Sequence, residues 1–121
     1  RVGIMYGGRI VEIGQAEELF HRPKHPYSQG LMASFPTIAM MRMAAGGERP
    51  KLRGISGSAP NPREIPKGCA FHPRCPYTTE ICLSQKPLMT NCGNDHLVAC
   101  HQFSDVDSLL KTQSVNEIKA Q

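Results

Sequence analysis

A chain of 121 residues has room for one domain at most, or is part of something longer. With 40% hydrophobic but only 6% aromatic residues, no Trp, 11 Gly and 10 Pro, it is loop-rich, which excludes a large self-sufficient core. The net charge of +4 is modest and uneven: seven basic residues against two acidic lie between Arg42 and Arg74, five acidic against three basic from Cys75 onward, and the basic stretch reads as a solvated linker.

No run of about 18 apolar residues is present to span a bilayer. The start, Arg1-Val-Gly-Ile-Met5, has neither an initiator Met nor an apolar signal region, so the chain reads as a piece of a longer protein. Five cysteines, an odd number without a signal sequence, point to a reducing compartment, where clustered thiols more often bind metal than form bridges.

In chain order, Val2, Ile4 and Tyr6 alternate before the Gly7-Gly8 pair, and Ile10, Val11 and Ile13 follow it. This predicts strands over 2–6 and 9–13 joined by a tight Gly-Gly turn. A lone hairpin is marginal in water, so a larger sheet or a partner is expected. Ala16, Leu19 and Phe20 then fall at helical spacing, with Glu17 and Glu18 in the first turn and Pro23 and Pro26 as the stop. A second helix is predicted from near Tyr27, with Tyr27, Leu31 and Phe35 on one face and Pro36 at its end.

Periodicity is lost over 37–65, which reads as a Pro/Gly-rich basic linker in which Met40, Met41 and Met43 are linker or satellite packing. Pro60, Pro62 and Pro66 form a stiff lead-in to the cysteine segment over 66–103. Beyond it, Ser104 with Asp107 resembles a capping box, Val106, Leu109 and Leu110 form an apolar stripe, and the last residues are polar and frayed. The fold class expected is small α+β: residues 1–36 a hairpin with two short helices, then the linker, an irregular Cys-rich metal-binding segment, and a short helix and tail over 104–121.

All the thiols sit in that segment. Five residues separate Cys69 from Cys75, six separate Cys75 from Cys82, and seventeen separate Cys82 from Cys100, with Cys92 inside the last gap. Pro73, Pro76 and Pro87 supply bends that let such thiols converge. Structural zinc favours close pairs such as C-x2-C, of which there are none. An iron–sulfur cluster accepts wider spacings, and a Pro directly after a ligand cysteine, as at Cys75-Pro76, also occurs in ferredoxins. Iron–sulfur, zinc, and disulfides or unligated thiols all stay open on spacing alone. His72, His96 and His101 lie near cysteines as candidate ligands, though a His at a loop bend is usually a hydrogen-bonding residue. Arg74 reads as a donor to cluster sulfur or as solvent-facing.

Pro66-Lys-Gly-Cys-Ala-Phe-His-Pro-Arg-Cys-Pro76, then Cys82, Pro87-Leu88 and His96-Leu-Val-Ala-Cys100, resemble the C-terminal extension of the ATP-binding subunits of oligopeptide/dipeptide ABC transporters. The opening, Arg1 to Gly14 followed by Glu18-Leu-Phe20 and His25-Pro-Tyr27, resembles the end of the nucleotide-binding domain, and the likeness covers roughly 1–103. It implies a 4Fe-4S cluster held by Cys69, Cys75, Cys82 and Cys100, with Cys92 a spare thiol. It also implies a parent ATPase that uses ATP and Mg, paired with a second ATP-binding subunit and membrane permease subunits on the cytoplasmic face of the membrane.

The chain carries no G-x-x-x-x-G-K-[ST] loop, no Leu-Ser-Gly-Gly-Gln-like signature and no Walker B strand, so a structural or regulatory role without ATPase activity of its own is expected. The main rival is a zinc-binding nucleic-acid or protein-interaction module. Against nucleic acid, only Phe71 and Tyr77 stand near Arg74, which gives too few stacking faces. A thiol-disulfide redox protein is disfavoured by the lack of C-x-x-C. Unpaired strand edges in the hairpin favour self-association.

Overall fold

The computed structural model describes residues 1–47 and 51–104. The capping box and apolar stripe expected after Ser104, and the polar tail, lie outside the described residues.

The hairpin forms as its sequence dictates. Strand β1 (Val2–Tyr6) pairs antiparallel with β2 (Arg9–Gly14), and Tyr6 opposite Arg9 encloses the two-residue Gly7-Gly8 loop. Both glycines take positive φ, 55° and 77°, the conformation whose twist matches that of the flanking strands. The register then slips between Ile4 and Met5: Ile4 faces Glu12 while Met5 faces Ile10, so Val11 is extra. This bulge re-aims β2, and the consecutive Val11 and Glu12 are both buried instead of alternating.

Helix α1 (Ala16–His21) buries only Leu19, and Phe20, expected to share its face, is 56% exposed. The six-residue helix is too short to set a broad face against the sheet. Helix α2 (Pro26–Ala33) starts with Pro26 where a missing N–H costs nothing, and His25 caps it by accepting the Tyr27 N–H at 3.0 Å. It ends before Phe35, which lies exposed rather than on the expected inner face.

The region read as a linker contains a third helix, α3 (Ile38–Ala45). Thr37 caps it, accepting the Met40 N–H at 3.2 Å, and its Ala- and Met-rich sequence has high helix propensity. Residues 53–56 are tied down too. Ser34 donates to the Arg53 carbonyl at 3.0 Å, and the Ile55 side chain lies where a Cβ on Gly30 would stand.

The cysteine segment is more regular than expected. It contains a 3-10 turn (His72–Arg74), helix α4 (Glu80–Ser84) and the two-residue strands β3 (Thr90–Asn91) and β4 (Leu97–Val98). Strand β4 inserts beside β2, giving a four-stranded antiparallel sheet in the order β1-β2-β4-β3. The fold is therefore α+β, and the larger sheet that the hairpin needed comes from residues 84 positions further along.

Segments distant in sequence share one core. Phe71, from the cysteine segment, packs with Ile4, Tyr6, Val11 and Leu19. Its ring lies 5.1 Å from Tyr6, 5.5 Å from Tyr27 and 5.8 Å from His25, in tilted and edge-to-face arrangements. Among the described residues, no helix is long and apolar enough to cross a membrane.

Candidate functional site

Two polar assemblies organise the cysteine segment, one fastening it to the hairpin and the other gathering its own cysteines. The first centres on Glu12, which is fully buried. Its Oε1 accepts the Lys24 N–H at 2.6 Å and its Oε2 the His25 N–H at 2.9 Å. The ring of His96, itself 3% exposed, meets Oε1 at 2.6 Å through Nε2. One carboxylate thus joins β2, the entry to α2 and the turn before β4. The close passage of the His96 ring over Gly14, at 3.3 Å from a Cβ placed there, suits the absence of a side chain.

His25 belongs to the same assembly. Burial holds its pKa down to about 4, against the opposing pull of a hydrogen bond to the backbone of Ala99. The ring is therefore neutral, as its Nδ1 must be to accept the Tyr27 N–H.

The second assembly is the thiol site. Cys69, Cys75, Cys82 and Cys100 line one closed cavity, bordered also by His25, Phe71, His72 and His101. Cys92 is not among its lining residues. It sits on the turn between β3 and β4, where its Sγ donates to the His96 carbonyl at 3.0 Å. All five cysteines are present as thiols.

The convergence is built locally. Gly68 has φ of +72°, and a Cβ there would stand 2.3 Å from the Cys82 carbonyl oxygen. Only glycine lets the loop press onto the backbone of α4, where the Cys69 N–H donates to that same carbonyl at 2.8 Å. Polar groups also approach the sulfurs. The Phe71 N–H bonds to Cys69 and the Tyr77 N–H to Cys75, while the His72 N–H goes to the Cys69 carbonyl at 3.0 Å and the Thr78 hydroxyl to the His72 carbonyl at 2.7 Å. The Gln102 N–H approaches Cys100 Sγ at 3.4 Å, and the Thr79 hydroxyl lies 3.5 Å from Cys82 Sγ. The C-x2-C pairs absent from the sequence are replaced by turns in which an N–H two residues beyond the cysteine points at sulfur.

Burial pushes the Cys69, Cys75 and Cys100 thiols up, Cys100 to about 12, and the neighbouring cysteines push each of them further. Thiolates here need a compensating cation. The cavity itself closes to about 10 Å3, the room of one water. Among the described residues, no group of three or more His, Cys, Asp or Glu is arranged to hold a single metal ion. The segment presents four sulfurs around a closed space, not an assembled metal site.

The three histidines part company. His72 bonds through Nδ1 to the Cys69 carbonyl at 2.9 Å and His101 through Nε2 to the Gln85 carbonyl at 3.0 Å, both at the cavity edge, whereas His96 is held by Glu12. Arg74 neither donates to sulfur nor faces solvent alone. Its Nε and NH2 donate to the carbonyls of Ser56 and Ile55 at 2.9 and 3.2 Å, and its guanidinium carbon lies 5.9 Å from the centre of the Tyr6 ring.

Residues 11–82 match the family described as the oligopeptide/dipeptide transporter C-terminal region. The chain is similar to the oligopeptide transport ATP-binding protein AppF of Bacillus subtilis, 41% identical over 104 residues, which are 86% of this chain and 30% of that protein. It is 43% identical over 98 residues to the di/tripeptide transport ATP-binding protein DppF of Pseudomonas aeruginosa, covering 81% of this chain and 28% of that one. To the dipeptide transport ATP-binding protein DppD of Escherichia coli it is 33% identical over 101 residues, 84% of this chain and 29% of that one. The chain thus spans about 30% of the length of the curated relatives it matches.

Proposed function

The chain belongs to the oligopeptide/dipeptide transporter C-terminal-region family, and from that premise we propose that it serves as the C-terminal part of the ATP-binding subunit of a peptide importer. In this reading ATP and Mg are handled by the rest of the subunit, which pairs with a second ATP-binding subunit and with membrane permeases at the cytoplasmic face. Residues 1–36 complete the nucleotide-binding domain, 37–65 connect, and 66–103 form an extension with a structural or regulatory task. Among the described residues no strand pairs with the outer edge of β1, which offers the rest of the subunit a strand to extend.

The observation that carries the reading is the selective convergence of the thiols: Cys69, Cys75, Cys82 and Cys100 share one cavity and Cys92 does not. The donor set suits a 4Fe-4S cluster, with three sulfurs arriving from turns, the Cys82 sulfur from α4, and polar groups close to them. These four residues would hold it, and the cavity must widen to admit it. When bound, the cluster would supply positive charge to the thiolates and cross-link three turns and α4 within the cysteine segment.

Anaerobic purification of the chain tests this. Broad visible charge-transfer absorbance is expected, with iron and acid-labile sulfide in matching amounts. Changing Cys69, Cys75, Cys82 or Cys100 to Ser abolishes both signals, whereas Cys92→Ser retains them. Stoichiometric zinc without iron, or equal losses at all five positions, overturns the ligand assignment.

A further inference from the structure

A groove of about 590 Å3 runs between the hairpin turn and the loop that carries Cys69. Ile10, Ile65, Pro87 and Met89 line it, and Ile10 and Met89 are 45% and 41% exposed. Arg9, Lys67 and Lys86 also line it, and among the described residues no Asp or Glu does. Among the described residues, none of these three cationic side chains has an ion pair. The groove thus combines an apolar surface with unneutralised positive charge contributed by three different elements.

We propose that this groove binds an acidic peptide segment of a partner protein, with its apolar side chains against Ile10, Ile65 and Met89 and its carboxylates on Arg9, Lys67 and Lys86. A concave site admits a chain, whereas a bilayer is met by projecting apolar side chains. Nucleic acid would need exposed rings for its bases, yet Tyr6 and Phe71, which border the groove, are only 6% and 2% exposed. A fatty acid brings one carboxylate to three cations. An acidic peptide alternating with apolar residues satisfies both the surface and the charge.

The groove and the thiol cavity have Cys69 and Phe71 in common. A bound segment therefore bears on the same loop that presents Cys69, whatever the thiols hold.

The test uses the whole chain and a short fluorescent peptide of alternating Glu and Leu, followed by anisotropy. Lys67→Glu with Lys86→Glu is expected to weaken binding about tenfold or more. Lys51→Glu with Arg63→Glu, an equal charge change on exposed residues outside the groove, leaves binding within about twofold. Replacing Leu by Ser in the peptide also abolishes binding. Equal weakening by the two double variants, tighter binding to phosphatidylglycerol vesicles or single-stranded DNA than to the peptide, or no binding by the unaltered chain overturns the proposal. Unchanged circular dichroism of both double variants separates lost binding from lost fold.

Discussion

The Glu12 assembly and the thiol cavity both draw together residues distant in sequence, by opposite means. The Glu12 carboxylate fastens the cysteine segment to β2 and the entry of α2, whereas the thiol cavity gathers parts of the cysteine segment itself. In the first, two carboxylate oxygens meet three donors at 2.6 to 2.9 Å, and nothing further is required. In the second, four cysteines line one small cavity, and burial holds Cys69, Cys75 and Cys100 in the neutral thiol form. A small chain poor in aromatic residues closes distant segments with polar chemistry: a buried carboxylate across the fold and a cluster of thiols within the cysteine segment.

Glu12→Ala breaks that contrast most severely. It leaves two backbone N–H groups and the His96 ring without an acceptor in a buried place, and a loss of about 3–5 kcal/mol is expected in urea unfolding. A loss below about 1 kcal/mol would mean that water or another group substitutes and the assembly is not the fastener described.

Acid probes the same region. Neutral His25, with a pKa of about 4 in the fold against 6.5 ordinarily, gains its first proton in the unfolded chain. Its stabilising effect is whole above pH 6.5 and is lost as pH falls from there towards 4, amounting to about 3 kcal/mol. His25→Asn keeps a capping side chain but removes this titration, so its urea midpoint falls less across the window than that of the unaltered chain. Parallel curves would refute the neutral ring.

Gly68→Ala tests how the thiols are gathered. The positive φ and the backbone 2.3 Å from the added Cβ force the loop off α4, and about 2 kcal/mol is expected to be lost. Iron retention should fall with it; full retention would show that the cysteines converge without this contact. Thr37→Ala is the mildest case. It removes the cap of α3 and costs about 1 kcal/mol, read as reduced helicity with iron content unchanged.

The sequence made some features legible for physical reasons. Gly7-Gly8 between alternating apolar residues admits few alternatives to a hairpin, and thiols separated by proline bends invite convergence. Glu12 was hidden because a carboxylate in a strand ordinarily faces water. Its only sequence signal was its place within Ile10-Val-Glu-Ile13, where an apolar run surrounds a charge. Helix α3 was hidden because three methionines among Ala and Gly read as a linker, although Thr37 three residues before Met40 marked a cap. The two-residue strands β3 and β4 are shorter than any periodicity can register, and they form because β2 offers an edge. Phe20 and Phe35 misled in the other direction, since helical spacing alone cannot tell an inner face from one left open.

The partnership of Glu12 with His96 also has a direction in time. A ribosome makes the carboxylate 84 residues before the histidine that meets it, so the hairpin and α2 emerge with a key acceptor still waiting. Such separation slows closure, because the intervening loop must be ordered before the contact rewards it. During that interval the nascent β2 edge, later covered by β4, stands open to wrong pairing. Within this chain, the interval between the end of α2 and the arrival of His96 is therefore the one in which the β2 edge lacks its β4 partner.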